Sequence, residues 1–148
     1  PEEWLQAREG EGTWNAEEVL GHLIHGEKTD WMPRVRHLLE HGDAVAFTPF
    51  NMEAHLREPV RPVAEKLAEF AALRAQGLAE LAALGLTEAD LSRPGRHPAL
   101  GAVTLGQLLA TWVTHDQSHL VQIHRTWARR WREATGPWAA YQRVMRES

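Results

Sequence analysis

Residues 105–127, LGQLLATWVTHDQSHLVQIHRTW, carry the pattern that decides the fold. Apolar residues recur along this stretch at intervals of three and four, which places them on one face of an α-helix. The residues of this face are Leu105, Leu108, Leu109, Trp112 and Ile123. Thr104 stands directly before them as a favourable N-cap residue, so we predict a helix that begins there and runs to about Glu133.

Two histidines fall on this apolar face. His115 and His119 are four residues apart, so one turn of helix stacks their rings on the same side. A buried imidazole without a partner costs roughly 1–3 kcal/mol, and one divalent metal ion would satisfy both rings at once. From these two residues alone, a metal site and a pair of hydrogen-bonded core histidines explain the pattern equally well.

The remainder of the chain also has a helical pattern. No segment alternates β-branched and polar residues over the length of a strand, and Ala, Leu, Glu and Arg dominate. Asn15 and Glu18 form a capping box, and prolines and glycines separate the helical segments. The predicted long helices are 15–42, 63–85 and 104–133. The predicted connections are a crossover at 43–62 with a helical turn near 51–56, and a loop at 92–101.

These segments predict an all-α helical bundle that forms a single domain over residues 1–148. The N-terminal residues 1–9 supply at most two further helical turns, and a short tail helix is expected to reach Arg146. No apolar run is long enough to span a membrane and no signal peptide opens the sequence, so we expect a cytoplasmic protein without membrane contact.

The composition limits the chemistry that this protein can perform. The 148 residues include nine histidines, seven tryptophans and no cysteine, with a formal net charge of −4. Disulfides, thiolate metal sites, iron–sulfur clusters and a catalytic thiol of the chain itself are therefore excluded. Residues 122–148 are basic, with six arginines and two glutamates, but a solvated helix face explains them better than nucleic-acid binding.

The first long helix offers two more histidines. His22 and His25 are three residues apart near its N-terminal end. At 100° per residue both fall away from the apolar stripe of this helix. The stripe consists of Leu20, Leu23, Ile24, Trp31, Val35 and Leu38. Periodicity therefore does not place either histidine inside the bundle unless that helix is packed on two sides.

Two segments together resemble a known family. Residues 14–23, WNAEEVLGHL, resemble the W-S-x-x-E-x-L-x-H-L opening of the DinB/YfiT-like metal-binding helical bundles. Residues 115–123, HDQSHLVQI, resemble the second signature of that family, H-x-x-x-H-x-x-Q-I. The order and the long separation of the two segments also match. Asn15 replaces the usual serine, and both residues cap helices well.

The resemblance implies a DinB-like four-helix bundle that binds a divalent metal through His22, His115 and His119, with His25 as a neighbour. Only thirteen residues precede Trp14, so the first helix of the bundle is expected to be short or truncated. Three imidazoles leave a coordination position open on zinc or nickel, the metals we expect. Neither the spacing nor the resemblance distinguishes these two metals.

Related bundles include enzymes that transfer low-molecular-weight thiols to electrophiles, and a thiol-dependent maleylpyruvate isomerase. The resemblance thus implies a metal-dependent transferase or isomerase that uses bacillithiol, mycothiol or glutathione, since this chain has no cysteine. Two alternatives stay open. One is a hydrolase that uses metal-activated water, and the other is a non-enzymatic stress-response bundle that binds a metal or a partner.

Asp116 lies near the centre of the apolar face of the third helix, and a lone buried carboxylate is costly. We expect it to pair with a histidine N–H, with Arg74 or with water, either as a proton acceptor and orienting group for the site or in a purely structural hydrogen bond. The spacing H-D-x-x-H differs from the zinc-protease motif H-E-x-x-H, and the paired E-x-x-H motifs of di-iron bundles are absent. Trp112, Trp127 and Trp131 share a helix face, and these large aromatics favour a homodimer.

Overall fold

The computed structural model describes residues 2–145, and most of them are helical. The helices are α1 (Glu2–Leu5), α2 (Ala16–Thr29), α3 (Trp31–His41), α4 (Val63–Ala83), α5 (Leu105–Arg130) and α6 (Arg132–Thr135). The strands are β1 (Pro94–His97) and β2 (Gly101–Thr104). Short 3₁₀ turns lie at Ala54–Arg57, Glu88–Ser92, Gly136–Tyr141 and Arg143–Met145. The predicted all-α class is confirmed, with the two strands as a small addition.

The predicted helix 15–42 is divided into α2 and α3 at Asp30, which corrects the expectation of one continuous helix. Its start is as predicted, because the Asn15 side chain accepts from the Glu18 N–H and the Glu18 carboxylate accepts from the Asn15 N–H. The break follows from Pro33. Proline has no N–H to donate to the carbonyl of Thr29 four residues earlier, so the helical hydrogen bonding is interrupted there.

The hydrophobic core lies between α3, α5 and the two strands β1 and β2. Its buried members are Trp31, Met32, Val35, Leu38, Phe47, Leu105, Leu108 and Trp112. The apolar stripes predicted for the two helices supply most of this set. The indole rings of Trp31 and Trp112 stack with their centroids 5.9 Å apart, which joins the α3 stripe to the α5 stripe.

Residues 92–101 were predicted as a loop, and this prediction is wrong. β1 and β2 form an antiparallel hairpin in which Gly95 pairs with Val103. Gly95 has to be small, because a Cβ there would lie 2.6 Å from Cδ1 of Leu38. The Phe47 N–H also donates to the Arg96 carbonyl at 2.9 Å. Strands of four residues that include proline and glycine give no alternating pattern, so tertiary contacts decide this hairpin.

The other helix boundaries follow the predictions closely. α4 ends beside Gly85, whose φ of 58° lies in the left-handed region that favours glycine. Thr104 caps α5 through the Gln107 N–H, and α5 ends at Arg130 rather than near Glu133. The predicted tail helix is instead a pair of 3₁₀ turns, and its expected end at Arg146 lies outside the described residues.

The N-terminal segment packs against the C-terminal half of α5. The Trp4 ring lies 6.0 Å from that of Trp127, whose indole N–H donates to the Trp4 carbonyl. The Glu9 carboxylate contacts the guanidinium groups of Arg125 and Arg129 at 2.7 and 3.1 Å. Part of the basic charge of this region is thus neutralised inside the chain, which supports its structural interpretation.

Within residues 2–145, no helix combines the length and the hydropathy that a membrane span requires. The large side chains of Trp131, Trp138 and Tyr141 are exposed near the C-terminal end. The homodimer and the cytoplasmic location stay predictions.

Candidate metal centre

Three histidine rings converge between α2 and α5. Nε2 of His115 lies 3.0 Å from Nε2 of His22 and 3.2 Å from Nε2 of His119. One ligand atom from each of the three rings lies within 4.8 Å of the others. The spacing of four residues on α5 brings the second and third rings together, and the packing of α2 adds the first. These are the three residues that the two sequence signatures single out.

The deep burial of His22 corrects the expectation from the helical wheel. Its ring is fully buried, although it falls away from the apolar stripe of α2. α2 is enclosed on more than one side, because it packs against α4 and α5 and the turn Ala54–Arg57 folds back over it. The turn lies close to Gly21, where a Cβ would be in van der Waals contact with the His55 ring at 3.4 Å. The cover therefore comes from the crossover of the same chain.

The donor set fits a divalent cation better than it fits hydrogen bonds. Nε2 of His115 faces two ring nitrogens, yet one ring nitrogen offers either one N–H or one lone pair. Both short contacts cannot be well-formed hydrogen bonds at the same time. Nitrogens bound tetrahedrally to zinc at about 2.0–2.1 Å lie about 3.3 Å apart, close to the separations in this cluster. Three lone pairs directed at one point satisfy this geometry.

Hydrogen bonding and burial keep the imidazoles in the form that binds metals. Nδ1 of His119 donates to Oε1 of Gln122 at 2.9 Å, which leaves its Nε2 lone pair free to face the cluster. Burial, and next the neighbouring imidazoles, lower the pKa of His22 to about 3. The same two causes lower the pKa of His115 to about 4. Both rings are therefore neutral at pH 7, as metal ligation requires.

A charged network ties the cluster to α4. Arg74 contacts both carboxylate oxygens of Asp116, at 2.6 and 3.1 Å, so the expected pairing with Arg74 forms. Nη2 of Arg74 also donates to Oε1 of Glu27 at 2.8 Å, and the indole N–H of Trp112 donates to the same oxygen at 2.9 Å. Glu27, Arg74 and Asp116 come from α2, α4 and α5, so this network fixes the three helices around the histidines.

The pKa of Arg74 reflects its position in this network. Burial disfavours the charged guanidinium, but the hydrogen bonds to Asp116 and Glu27 outweigh it and raise the pKa above its ordinary value. Arg74 is therefore a permanent cation between two carboxylates. Both Asp116 carboxylate oxygens accept hydrogen bonds from Arg74 of α4. A role of Asp116 as a proton acceptor for the site stays a prediction.

The sequence interpretation missed residues that enclose the cluster. His55 is buried, with its ring 5.5 Å from that of His22 and 4.7 Å from that of Trp14. The Phe50 ring lies edge-on to His22 at 5.5 Å. His55 and Phe50 come from the proline-rich crossover, whose pattern gives no indication of burial. His25, by contrast, lies outside the cluster, with its ring 5.0 Å from that of Phe50.

A cavity of about 590 Å³ opens on one side of the cluster, and His22 and His115 form part of its wall. Most of the other lining residues are apolar, and they come from α3, the crossover, the hairpin and α5. They include Trp31, Phe47, Phe50, Met52, Leu100, Val103 and Leu108. The size is sufficient for a small organic molecule beside the histidines.

Comparison with known proteins agrees with this architecture. The family model of the DinB superfamily matches residues 1–123, a range that includes both histidine signatures. This chain belongs to the DinB superfamily. The solved structure of YfiT from Bacillus subtilis superposes with a TM-score of 0.73 at 22% identity, covering 88% of this chain and 74% of YfiT. YfiT is described as a probable metal-dependent hydrolase with an unusual four-helix bundle topology. No curated protein matches the chain.

The membership and the superposition confirm the DinB-like bundle expected from the two signatures. α1 is a single turn, Glu2–Leu5, and the long helices of the bundle are α2 with α3, α4 and α5. The three-histidine group of this DinB protein could hold a metal ion.

Proposed function

We propose that this DinB protein is a divalent-metal enzyme that transfers a low-molecular-weight thiol to an electrophile, or isomerises a substrate through such a thiol. The observation that carries the proposal is the convergence of the three Nε2 atoms of His22, His115 and His119 at the wall of an apolar cavity. Zinc or nickel held there would supply a Lewis acid that lowers the pKa of a bound thiol or water.

The protein residues have separate tasks in this proposal. The three imidazoles would hold the metal, and Gln122 fixes the ring orientation of His119 through Nδ1. The apolar lining excludes water around the electrophile and strengthens the electrostatic interactions within the cavity. Bacillithiol, mycothiol or glutathione would supply the sulfur, because the chain has no cysteine.

The carboxylates around the site favour a thiol nucleophile over water. Metal-assisted hydrolysis commonly uses a carboxylate as general base beside the metal. Within residues 2–145, no carboxylate joins the histidine cluster. Asp116 and Glu27 are both bound to Arg74. A thiol needs less help from a base, because its ordinary pKa of about 8.5 is far below that of water.

A hydrolase is the second candidate, and the likeness to YfiT is the observation that favours it. The same three histidines would then serve a metal-activated water. The third possibility, a stress-response bundle that binds metal or a partner without catalysis, predicts metal binding and no turnover with any nucleophile.

Metal binding is tested first, by elemental analysis and by the thermal shift on addition of zinc or nickel. We expect about one metal per chain in the wild type and a loss of binding in His119→Ala. His124→Ala is the matched control, since His124 is exposed on the same helix and lies outside the cluster. Less than about 0.1 metal per chain, with no thermal shift, would contradict the metal site.

Activity is then measured on metal-loaded protein with each of the three thiols and a generic electrophile. We expect turnover that depends on the thiol and disappears in His119→Ala but not in His124→Ala. Hydrolysis of esters or amides without any thiol dependence would instead establish the hydrolase. Stoichiometric metal with neither activity would favour the non-enzymatic bundle.

A further inference from the structure

The wall of the cavity contains one arginine, Arg34, in the first turn of α3. Its side chain is only 11% exposed, so the guanidinium is largely removed from bulk water. Nε forms an ion pair with Oδ1 of Asp30 at 2.6 Å, and the Cζ atom lies 5.3 Å from the centre of the Phe47 ring. These contacts hold the guanidinium in one position.

The two Nη nitrogens of the Arg34 guanidinium have N–H groups that are free to donate. Within residues 2–145, the closest contact of Arg34 with Asp30 is through Nε, and no hydrogen bond from either Nη atom of Arg34 to another described residue is found. The Nη atoms are also not among the polar atoms sealed away from water, so they remain accessible. A largely buried guanidinium whose two Nη groups have free N–H donors is suited to bind a carboxylate through two hydrogen bonds.

The surroundings of Arg34 favour an anion with an apolar body. Asp30 is the one carboxylate in the described lining of the cavity, and it is already bound to Nε of Arg34. No other acidic group of that lining would repel an anion. Most of the other lining residues are aromatic or aliphatic. The cavity thus combines a fixed cation, an apolar lining and two histidines of the cluster.

We propose that Arg34 is the anion-recognition residue of this cavity, and that the ligand is a hydrophobic carboxylate whose charged end binds Arg34 while its reacting end faces the histidines. This inference rests on the proposed function for the identity of the reacting end. The carboxylate itself could belong to the electrophile or to the thiol, and both sources share the same chemistry at Arg34.

The test measures binding to metal-free protein, where a carboxylate cannot bind to the metal. The probes are phenylalkanoates from phenylacetate to 6-phenylhexanoate and the matching primary amides. Their dissociation constants are measured by calorimetry. For the best chain length we expect the carboxylate to bind about tenfold to a hundredfold more tightly than the amide. Arg34→Gln should remove this preference. Arg36→Gln should retain it, because Arg36 on the same helix is exposed, pairs with Glu80 and is not part of the cavity lining.

Folding of the variants is checked by circular dichroism. Arg34→Gln leaves Asp30 without its partner, so the double variant Asp30→Asn/Arg34→Gln is measured as well, and it should also lack the preference. A preference that survives in either folded variant would overturn the proposal. Absence of carboxylate preference across the whole series in the wild type would do the same.

Failure of the proposed function gives a different result. If the protein binds no metal, the carboxylate preference of the metal-free protein and its loss in Arg34→Gln still establish the anion site. If the preference appears only with metal and survives in Arg34→Gln, the anion binds to the metal and the assignment of Arg34 is wrong. In the active enzyme, comparison of 3-mercaptopropionate with 2-mercaptoethanol shows whether the anion belongs to the thiol. A charged and a neutral electrophile give the same comparison for the other substrate.

Discussion

Arg74 offers the sharpest test of how the three helices are held around the histidine cluster. We consider the substitution Arg74→Met, which retains an apolar stem of similar length but removes the cation. Two carboxylates then lose their partner. The Glu27 side chain is 2% exposed and that of Asp116 is 19% exposed, so bulk water can replace the guanidinium only partly.

The size of the effect follows from this burial. Removing one partner of a buried ion pair costs about 3–5 kcal/mol, because the remaining charge stays buried without compensation. For a domain of this length, 1 kcal/mol corresponds to about 2–4 °C in Tm. We therefore expect the unfolding midpoint to fall by about 6–20 °C. The loss of contact between Arg74 and the rings of Phe70 and Trp112 lowers the unfolding midpoint further.

The measurement is urea and thermal unfolding of metal-free protein, with Arg36→Met as the matched control. The control removes an exposed ion pair with Glu80 at 2.8 Å, whose side chains are 54% and 32% exposed. We expect it to cost less than about 1 kcal/mol. The double variant Glu27→Gln/Arg74→Met should regain part of the lost stability, because glutamine removes a buried charge and can still accept from Trp112. If Arg74→Met costs no more than the control, the reasoning from buried charge is refuted.

Three further predictions concern stability. In the folded chain the pKa of His22 is about 3 and that of His115 is about 4, below the ordinary 6.5. The unfolded chain therefore binds more protons below pH 6.5, so the free energy of unfolding should fall as the pH is lowered from 6.5 toward 4. Urea unfolding of metal-free protein measures this, and a free energy that does not change with pH would contradict it. Gly95→Ala places a Cβ 2.6 Å from the Leu38 side chain and should cost about 1–3 kcal/mol, while Gly10→Ala, in open space, should not show this loss in thermal unfolding. Asn15→Ala removes the cap of α2 and should cost about 0.5–2 kcal/mol in urea unfolding; an unchanged midpoint would mean that the capping box contributes nothing.

Local sequence patterns predicted the helices because their causes are local. Caps such as Asn15 and Thr104 act within one turn, and apolar spacing reports the buried face of a helix without reference to its partner. The same locality explains the pair His115 and His119, because a spacing of four residues places their rings side by side on one face of the helix. The break at Asp30 was less evident, since Pro33 can also be accommodated in the first turn of a helix.

Other features depend on segments that are distant in the sequence. The hairpin at 94–104 exists because Gly95 packs on Leu38 and the Arg96 carbonyl accepts from Phe47. The burial of His22 and His55 depends on how the crossover folds back over α2. No periodicity within either segment records these contacts.

By itself, the sequence determined the helical class, the two signatures and the three histidines that they single out, because these follow from helix periodicity, capping and a resemblance carried by short segments. The tertiary structure decided the distances between the Nε2 atoms, the partners of Asp116 and the cavity with its half-used Arg34. These features arise where α2, α4, α5 and the crossover meet. Contacts between segments far apart in the chain depend on the packing of whole elements, and no local pattern determines that packing.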